Sequence, residues 1–386
     1  MLFFNRVLKC LFWLGNVSNW KKLDFSLPEK NKIVVIDGCN YESWTNTVLY
    51  GLKFTIIYTR GEKFFLSPRI FLKFLRNISC FRTTVVASYY LSLLDVICPS
   101  VVLTFIDNSF ILGTLSNFYK ASYFSIQNGV RSGLTGKESK LIPVFYCFGQ
   151  NEIDLYTKYK INVGKFIPVG SLKAGYYKKQ LALPQEQIKY DLCLVSTFRS
   201  IVLNETDENS LYKDYRCGEI LFHQFVRRYV NKRNLKCVIT MAHTPFDEDV
   251  EQEELYFREL FVDQTILVNN LLEFTTYFAM DQSNLVITTY STAALECFGW
   301  GKKTFFCNLS GDENYSFFPP NFFTMSGKSY EEFEGKMDAL RSMSHDEYLS
   351  RTAKDRQYSM AYDPERPAHE VIREDIFKAL SSQPPT

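Results

Sequence analysis

The chain has 386 residues, 46% of them hydrophobic and 16% aromatic, and a formal net charge of +2 from 44 basic and 42 acidic residues. That length suits two domains, each with its own core, and the near-neutral balance excludes a global field that recruits nucleic acid. No run of about 18 apolar residues is present to span a bilayer, and the ten cysteines show neither a CxxC pair nor zinc-site spacing, so no metal is expected.

Met1–Trp20 is apolar apart from Asn5, Arg6, Lys9, Asn16, Ser18 and Asn19. On a helix, Asn5, Arg6 and Lys9 form a narrow polar stripe. A secretory signal fits poorly, because the apolar core Leu11–Leu14 is short and no A-x-A site follows. A helix lying in the cytoplasmic membrane face fits better, and a helix packed on the first domain fits comparably. Residues 1–31 are therefore expected to be an amphipathic helix and a linker.

Residues 32–170 read as a first Rossmann-like domain. Lys32–Ile36 is a buried strand ending in Asp37, and Phe54–Tyr58 is a second. Helices follow at Pro68–Leu75 and Thr84–Ile97. Val101–Ile106 is a strand ending in Asp107, and a helix spans Phe110–Tyr119. Tyr123–Ile126 ends in Gln127-Asn128-Gly129, with Arg131 just beyond, and Pro143–Phe148 and Lys165–Val169 follow a similar pattern. Strands alternating with crossover helices predict a parallel, doubly wound sheet, with ligands beyond the strands' carboxyl ends.

A second alternation, residues 171–325, begins with Asp191–Val195 and its loop Ser196-Thr197-Phe198-Arg199. The helix Gly218–Val230 leads to the strand Lys236–Met241, which ends in His243-Thr244-Pro245. The acidic run Asp247–Glu254 reads as a solvated helix face. Strand Thr265–Val268 and helix Leu271–Met280 then precede the stretch around which the chain is organised, Leu285–Cys307. There a buried strand turns through Tyr290, Ser291 and Thr292 into a short helix stopped by Gly299-Trp300-Gly301. Hydroxyls at a helix start cap it, and its free N–H groups and dipole favour an anion. Glu296, one turn on, is placed to meet a sugar hydroxyl. The same pattern also fits an ordinary βαβ turn with a solvated Glu. Residues 326–386 are expected to be helices packing back on the domains.

The chemistry-bearing candidates sit at these strand ends. Asp37, Asp107 and, across the expected cleft, Glu205 or Asp207 are possible bases or nucleophiles for group transfer, and strand-end Asp also caps helices. Arg199 suits a phosphate clamp or a solvated surface. His243 suits a phosphate or ribose, or a structural hydrogen bond. His223 reads as structural, and His345 and His369 as tail residues. No GxGxxG follows the first strand of either domain, and neither a Walker loop nor G-x-S-x-G nor H-E-x-x-H occurs.

Val34–Gly38, Val102–Asn108, Ile126–Arg131 and Asp281–Lys303 together resemble bacterial surface-carbohydrate biosynthesis proteins. These are similar to glycosyltransferases with two Rossmann-like domains facing across a cleft (GT-B type), including the CMP-Kdo transferases. The resemblance implies a nucleotide-sugar donor on the second domain, near Ser291, Thr292 and Glu296. It implies an acceptor, a glycan or lipid-linked glycan, near Asp37, Gln127 and Asn128. Related CMP-ulosonate enzymes carry a donor-contacting His-Pro pair, whereas this chain has a residue inserted between His243 and Pro245. The one D-x-D triplet, Asp247-Glu248-Asp249, lies in the acidic run read as a solvated face and is not taken as a metal motif, in keeping with metal-independent transfer and no cofactor beyond the donor. The expectation is a CMP-linked Kdo or ulosonate transferase on the inner face of the cytoplasmic membrane. A CDP-polyol phosphotransferase, a UDP-sugar enzyme such as an epimerase, and a non-catalytic scaffold of polysaccharide assembly compete with it.

Overall fold

The computed structural model describes residues 22–38, 46–59, 62–80, 84–106, 111–131, 141–181, 188–198, 213–271 and 273–382. The proposed N-terminal helix, Asp107, Arg199, Glu205 and Asp207 lie outside these. Among the described residues, the chain divides into two compact units. The first holds 22–129, 141–172 and 365–382, and the second holds 130–131 and 173–364.

The first unit begins with β1 (Leu23–Asp24), β2 (Ile33–Ile36), β3 (Phe54–Ile57) and β4 (Phe64–Phe65), followed by helices α1 (Pro68–Cys80) and α2 (Val85–Ile97). Then come β5 (Val101–Thr104), α3 (Ile111–Ser116), β6 (Ser122–Ile126), β7 (Ile142–Cys147), α4 (Gln150–Lys158) and β8 (Val163–Pro168). Six strands form one parallel sheet in the order β3-β2-β5-β6-β7-β8, and β1 pairs only with β4. Because side chains alternate along a strand, β2 serves two cores. Val34 and Ile36 pack with Tyr89, Leu93 and Phe74 of α1 and α2, while Ile33 and Val35 pack with Ile372 and Ile376 of the last helix. Thr84 caps α2 by accepting from the Ala87 N–H, and Cys98 ends it in the left-handed region. α1 continues five residues beyond the expected Leu75. Nothing breaks it there, and Asn77 donates to the Ser92 hydroxyl of α2.

After the short helix α5 (Leu172–Tyr176), the second unit comprises β9 (Tyr190–Val195), α6 (Lys213–Arg233), β10 (Cys237–Thr240), α7 (Val250–Leu260), β11 (Thr265–Leu267), α8 (Thr275–Asp281) and β12 (Ser283–Thr288). It continues with α9 (Thr292–Gly299), β13 (Thr304–Cys307), β14 (Thr324–Met325), α10 (Tyr330–Ser342) and α11 (His345–Ser359). Its sheet is also parallel, in the order β11-β10-β9-β12-β13-β14. Cys193, Cys237 and Cys307 are buried free thiols in its strands. Gly301, at φ +100°, makes the stop after α9 that an L side chain would strain.

The tail helices divide between the two units. α10 and α11 belong to the second unit, but α12 (Ala368–Ser381) belongs to the first. There the Arg373 guanidinium donates to the Val48 carbonyl and the Tyr146 hydroxyl donates to Asp375. His345 opens α11, and His369 is buried in α12. His223 is buried on α6 against the Tyr256 hydroxyl, 3.0 Å away.

Candidate functional site

In each sheet the strand order reverses once, and that switch point is where α/β folds open a crevice beyond the carboxyl ends. In the second unit it lies between β9 and β12. Ser196 and Thr197 follow β9, Thr289 to Thr292 follow β12, and His243 follows β10.

The hydroxyls there form a connected cluster. Thr197 Oγ1 lies 2.6 Å from Thr289 Oγ1 and donates to Glu219 Oε1 at 2.5 Å, while the Tyr215 hydroxyl donates to Thr197 at 2.9 Å. Tyr215 and Glu219 come from α6 and are buried, so the cluster is held from beneath. Tyr290 stacks on Phe317 with ring centroids 4.3 Å apart. Beside it, at the ends of β12, β13 and β14, lies a cavity of about 370 Å³ whose walls include Thr289, Tyr315 and Phe317.

His243 is held by a carboxylate that the acidic run concealed. Glu253, fully buried on α7, accepts from His243 Nδ1 at 2.7 Å, the His243 N–H at 3.0 Å, the Ala242 N–H at 2.8 Å and the Ser196 hydroxyl at 2.5 Å. One carboxylate therefore ties the ends of β9 and β10 together. It commits Nδ1, so Nε2, which has Asp249 Oδ2 3.9 Å away and beyond hydrogen-bond distance, is the imidazole nitrogen that can turn to a ligand. The reading of Asp247–Glu254 as a solvated face fails at Glu253. That residue shares the apolar stripe Val250, Phe257 and Phe261, a spacing of three, four and four that sequence inspection could have found.

Two further expectations are corrected at α9. Ser291 occupies the N-cap position with extended backbone, but its side chain makes no capping bond. Thr292 Oγ1 instead accepts from the Val130 N–H at 3.1 Å. The first-turn N–H groups are thus not closed off by a cap, the arrangement that suits an anion. Glu296 does not face the turn. It is buried, accepting from the Tyr277 hydroxyl beneath the helix, and burial beside this carboxylate raises the Tyr277 pKa well above its ordinary value.

In the first unit the switch point lies between β2 and β5, and Asp37 ends β2. It is buried, adopts φ +71°, accepts from the Thr59 hydroxyl and donates its N–H to Ile57 at 2.9 Å. Left-handed backbone is uncommon outside glycine, and Asp tolerates it better than most residues. Gln127 is not an open acceptor-site group. It is buried, with Oε1 accepting from the Phe148 N–H at 2.7 Å and Nε2 donating to the Gly129 carbonyl at 3.1 Å. Asn128 and Arg131 are half-buried nearby in sequence, Arg131 within the second unit. Among the described residues, no group of three or more His, Cys, Asp or Glu is arranged to hold a metal ion.

Two all-parallel, doubly wound units, each with polar residues at its switch point, define a two-domain Rossmann-like protein of the GT-B type. Solved structures agree on the fold. The wall teichoic acid polymerase TagF (H548A) matches with a TM-score of 0.54 at 10% identity, covering 99% of each chain. A second TagF structure (H444N with CDPG) gives 0.51 at 11%, covering 99% and 98%. The UDP-GlcNAc 2-epimerase of Neisseria meningitidis bound to UDP-GlcNAc gives 0.50 at 11%, covering 91% of this chain and 99% of that one. No curated protein matches the sequence. Residues 123–369 match the family described as "putative O-antigen biosynthesis protein", and the chain belongs to that family.

Proposed function

We propose that the protein is a transferase of surface-polysaccharide assembly that takes its group from a cytidine-nucleotide-activated donor. The observation carrying this is the carboxyl end of the second unit's sheet, with an uncapped helix start after β12, a hydroxyl cluster joining the ends of β9 and β12, and a carboxylate-held imidazole after the neighbouring β10. The donor phosphate would sit at the start of α9 near Ser291 and Thr292, with Thr197 on its flank and His243 Nε2 toward the leaving oxygen. The base would stack among Tyr290, Tyr315 and Phe317. Asp37 is the candidate base for the acceptor hydroxyl. In the step, that hydroxyl gives its proton to the carboxylate and its oxygen bonds the anomeric carbon. The bond from that carbon to the phosphate oxygen breaks, and CMP leaves with the electron pair. A lipid-linked glycan acceptor would agree with a membrane-surface role for the apolar residues 1–20.

A ulosonate such as Kdo is the first donor to test. A second reading, transfer of a polyol phosphate from a CDP donor, is favoured by the similar TagF structure that was solved with CDPG. Product mass separates them, since only the second leaves phosphorus on the acceptor. Thermal titration of the full chain with CMP, CDP, UDP and GDP tests the donor class, because a ligand of the folded state raises its stability with the logarithm of concentration. Selective stabilisation by CMP or CDP is expected. Stabilisation by UDP or GDP alone would remove the cytidine donor, and none at all would remove the enzymatic reading in favour of a scaffold.

A further inference from the structure

The second unit has another cavity, of about 450 Å³, at the amino ends of the same strands. Gln282 precedes β12, Lys302 precedes β13 and Ile188 precedes β9. The six residues of β12 separate it from the strand-end crevice by roughly 20 Å at ~3.3 Å per residue.

Two ammonium groups in its wall share a single acidic residue. Lys178 Nζ lies 3.2 Å from Asp281 Oδ2, and Lys302 Nζ donates to the Asp281 main-chain carbonyl at 2.7 Å. The Tyr177 hydroxyl donates to the same Asp281 oxygen at 3.0 Å. An ammonium carries three N–H donors. These are the hydrogen bonds the two lysines make among the described residues, so each retains donors, and together they leave one uncompensated positive charge.

Burial holds the Lys302 pKa below its ordinary value, with Asp281 opposing that shift, and further basic groups lie nearby. Burial first, then Lys302, Lys303 and Arg356, hold the His345 pKa below its ordinary value, with Asp346 opposing. Burial also lowers the Lys303 pKa, with Glu347 opposing that shift. Apart from Gln282 and Gly301, the remaining wall is apolar and aromatic. Trp300 carries Lys178 Nζ 5.5 Å from its ring, Phe278 is half-buried, and Ile188 is exposed at the rim.

We propose that this cavity is a second ligand site, independent of the strand-end crevice, which takes a small phosphate monoester through Lys178 and Lys302 and packs its ring against Trp300, Phe278 and Ile188. The charge excess and unused donors suit the phosphate, and the aromatic wall suits the body attached to it. The class covers sugar phosphates and other ring-bearing monoesters.

The test is calorimetric titration of the full chain with phenyl phosphate and with inorganic phosphate. Saturable binding of phenyl phosphate, tighter than that of inorganic phosphate, is expected. Lys178→Met should weaken it about tenfold, the loss of one charge-assisted contact. Ile188→Glu sets a negative charge at the rim without touching the Lys178–Asp281 pair, and it should weaken binding even if Lys178→Met proves unstable. His243→Asn should leave the affinity unchanged. Absence of saturable binding, equal affinity in Ile188→Glu and the parent, or loss on His243→Asn would each overturn the assignment.

Discussion

Replacing Glu253 by Gln tests whether one buried carboxylate organises the candidate donor site. The carboxylate accepts four hydrogen bonds, two per oxygen: Ser196 and Ala242 on Oε1, His243 N–H and Nδ1 on Oε2. Gln keeps the shape but retains one oxygen, so its amide N–H₂ group must face one of the two donor pairs. If it faces His243, the main-chain N–H loses its acceptor and Nδ1 can adapt only by becoming an acceptor, which moves the ring proton to Nε2. A buried donor without a partner costs about 1–3 kcal/mol, and loss of the charge weakens the two remaining bonds, so unfolding stability should fall by roughly 2–4 kcal/mol. Urea denaturation of the full chain reads this directly, and nitrogen chemical shifts of the imidazole report the tautomer. Binding of the stabilising nucleotide should weaken in folded Glu253→Gln protein. Parent-like stability together with an unchanged imidazole tautomer would refute the reasoning.

Glu296 separates the sequence reading from the structural one. Glu296→Gln, which can still accept from the buried Tyr277 hydroxyl, should leave nucleotide affinity nearly intact, whereas Glu296→Ala should cost about 2–3 kcal/mol of stability by leaving that hydroxyl unpartnered; a large affinity loss in folded Glu296→Gln would restore the carboxylate to donor contact. His223 supplies a pH test, because burial depresses its pKa to about 3. The unfolded chain then binds a proton that the folded chain rejects between about pH 6.5 and pH 3, so this residue makes stability fall on acidification by up to ~1.4 kcal/mol per pH unit. His223→Gln should flatten that part of the urea-midpoint profile, and an unaltered slope would show that the burial is relieved before titration.

The architecture was legible because a parallel sheet covered on both faces writes its strands as short apolar runs. Val101–Thr104, Cys237–Thr240 and Thr304–Cys307 are such runs, and the polar residues Thr104, Thr240 and Asn308 mark their carboxyl ends. Pairings of two residues, as in β1 with β4, leave no such trace. α11 leaves a weak apolar pattern for a related reason: its exposed residues outnumber Tyr348 and Thr352, which anchor its middle.

The site was less legible, because position at a strand end does not say which way a side chain points. Gln127 and Glu296 stand where the fold displays ligand-binding groups, yet the protein occupies their polar atoms. Glu253 stands in an acidic run, where charge suggests solvent, yet it is the hub on which His243 depends. Burying a carboxylate without compensation is costly, so an acidic residue on an apolar stripe implies donors waiting for it across the interior. Read that way, the Val250–Glu253–Phe257 spacing asks which strand ends those donors occupy. The structure answers with Ser196, Ala242 and His243, and it thereby identifies the imidazole with a fixed orientation as the group on which a test of transfer should turn.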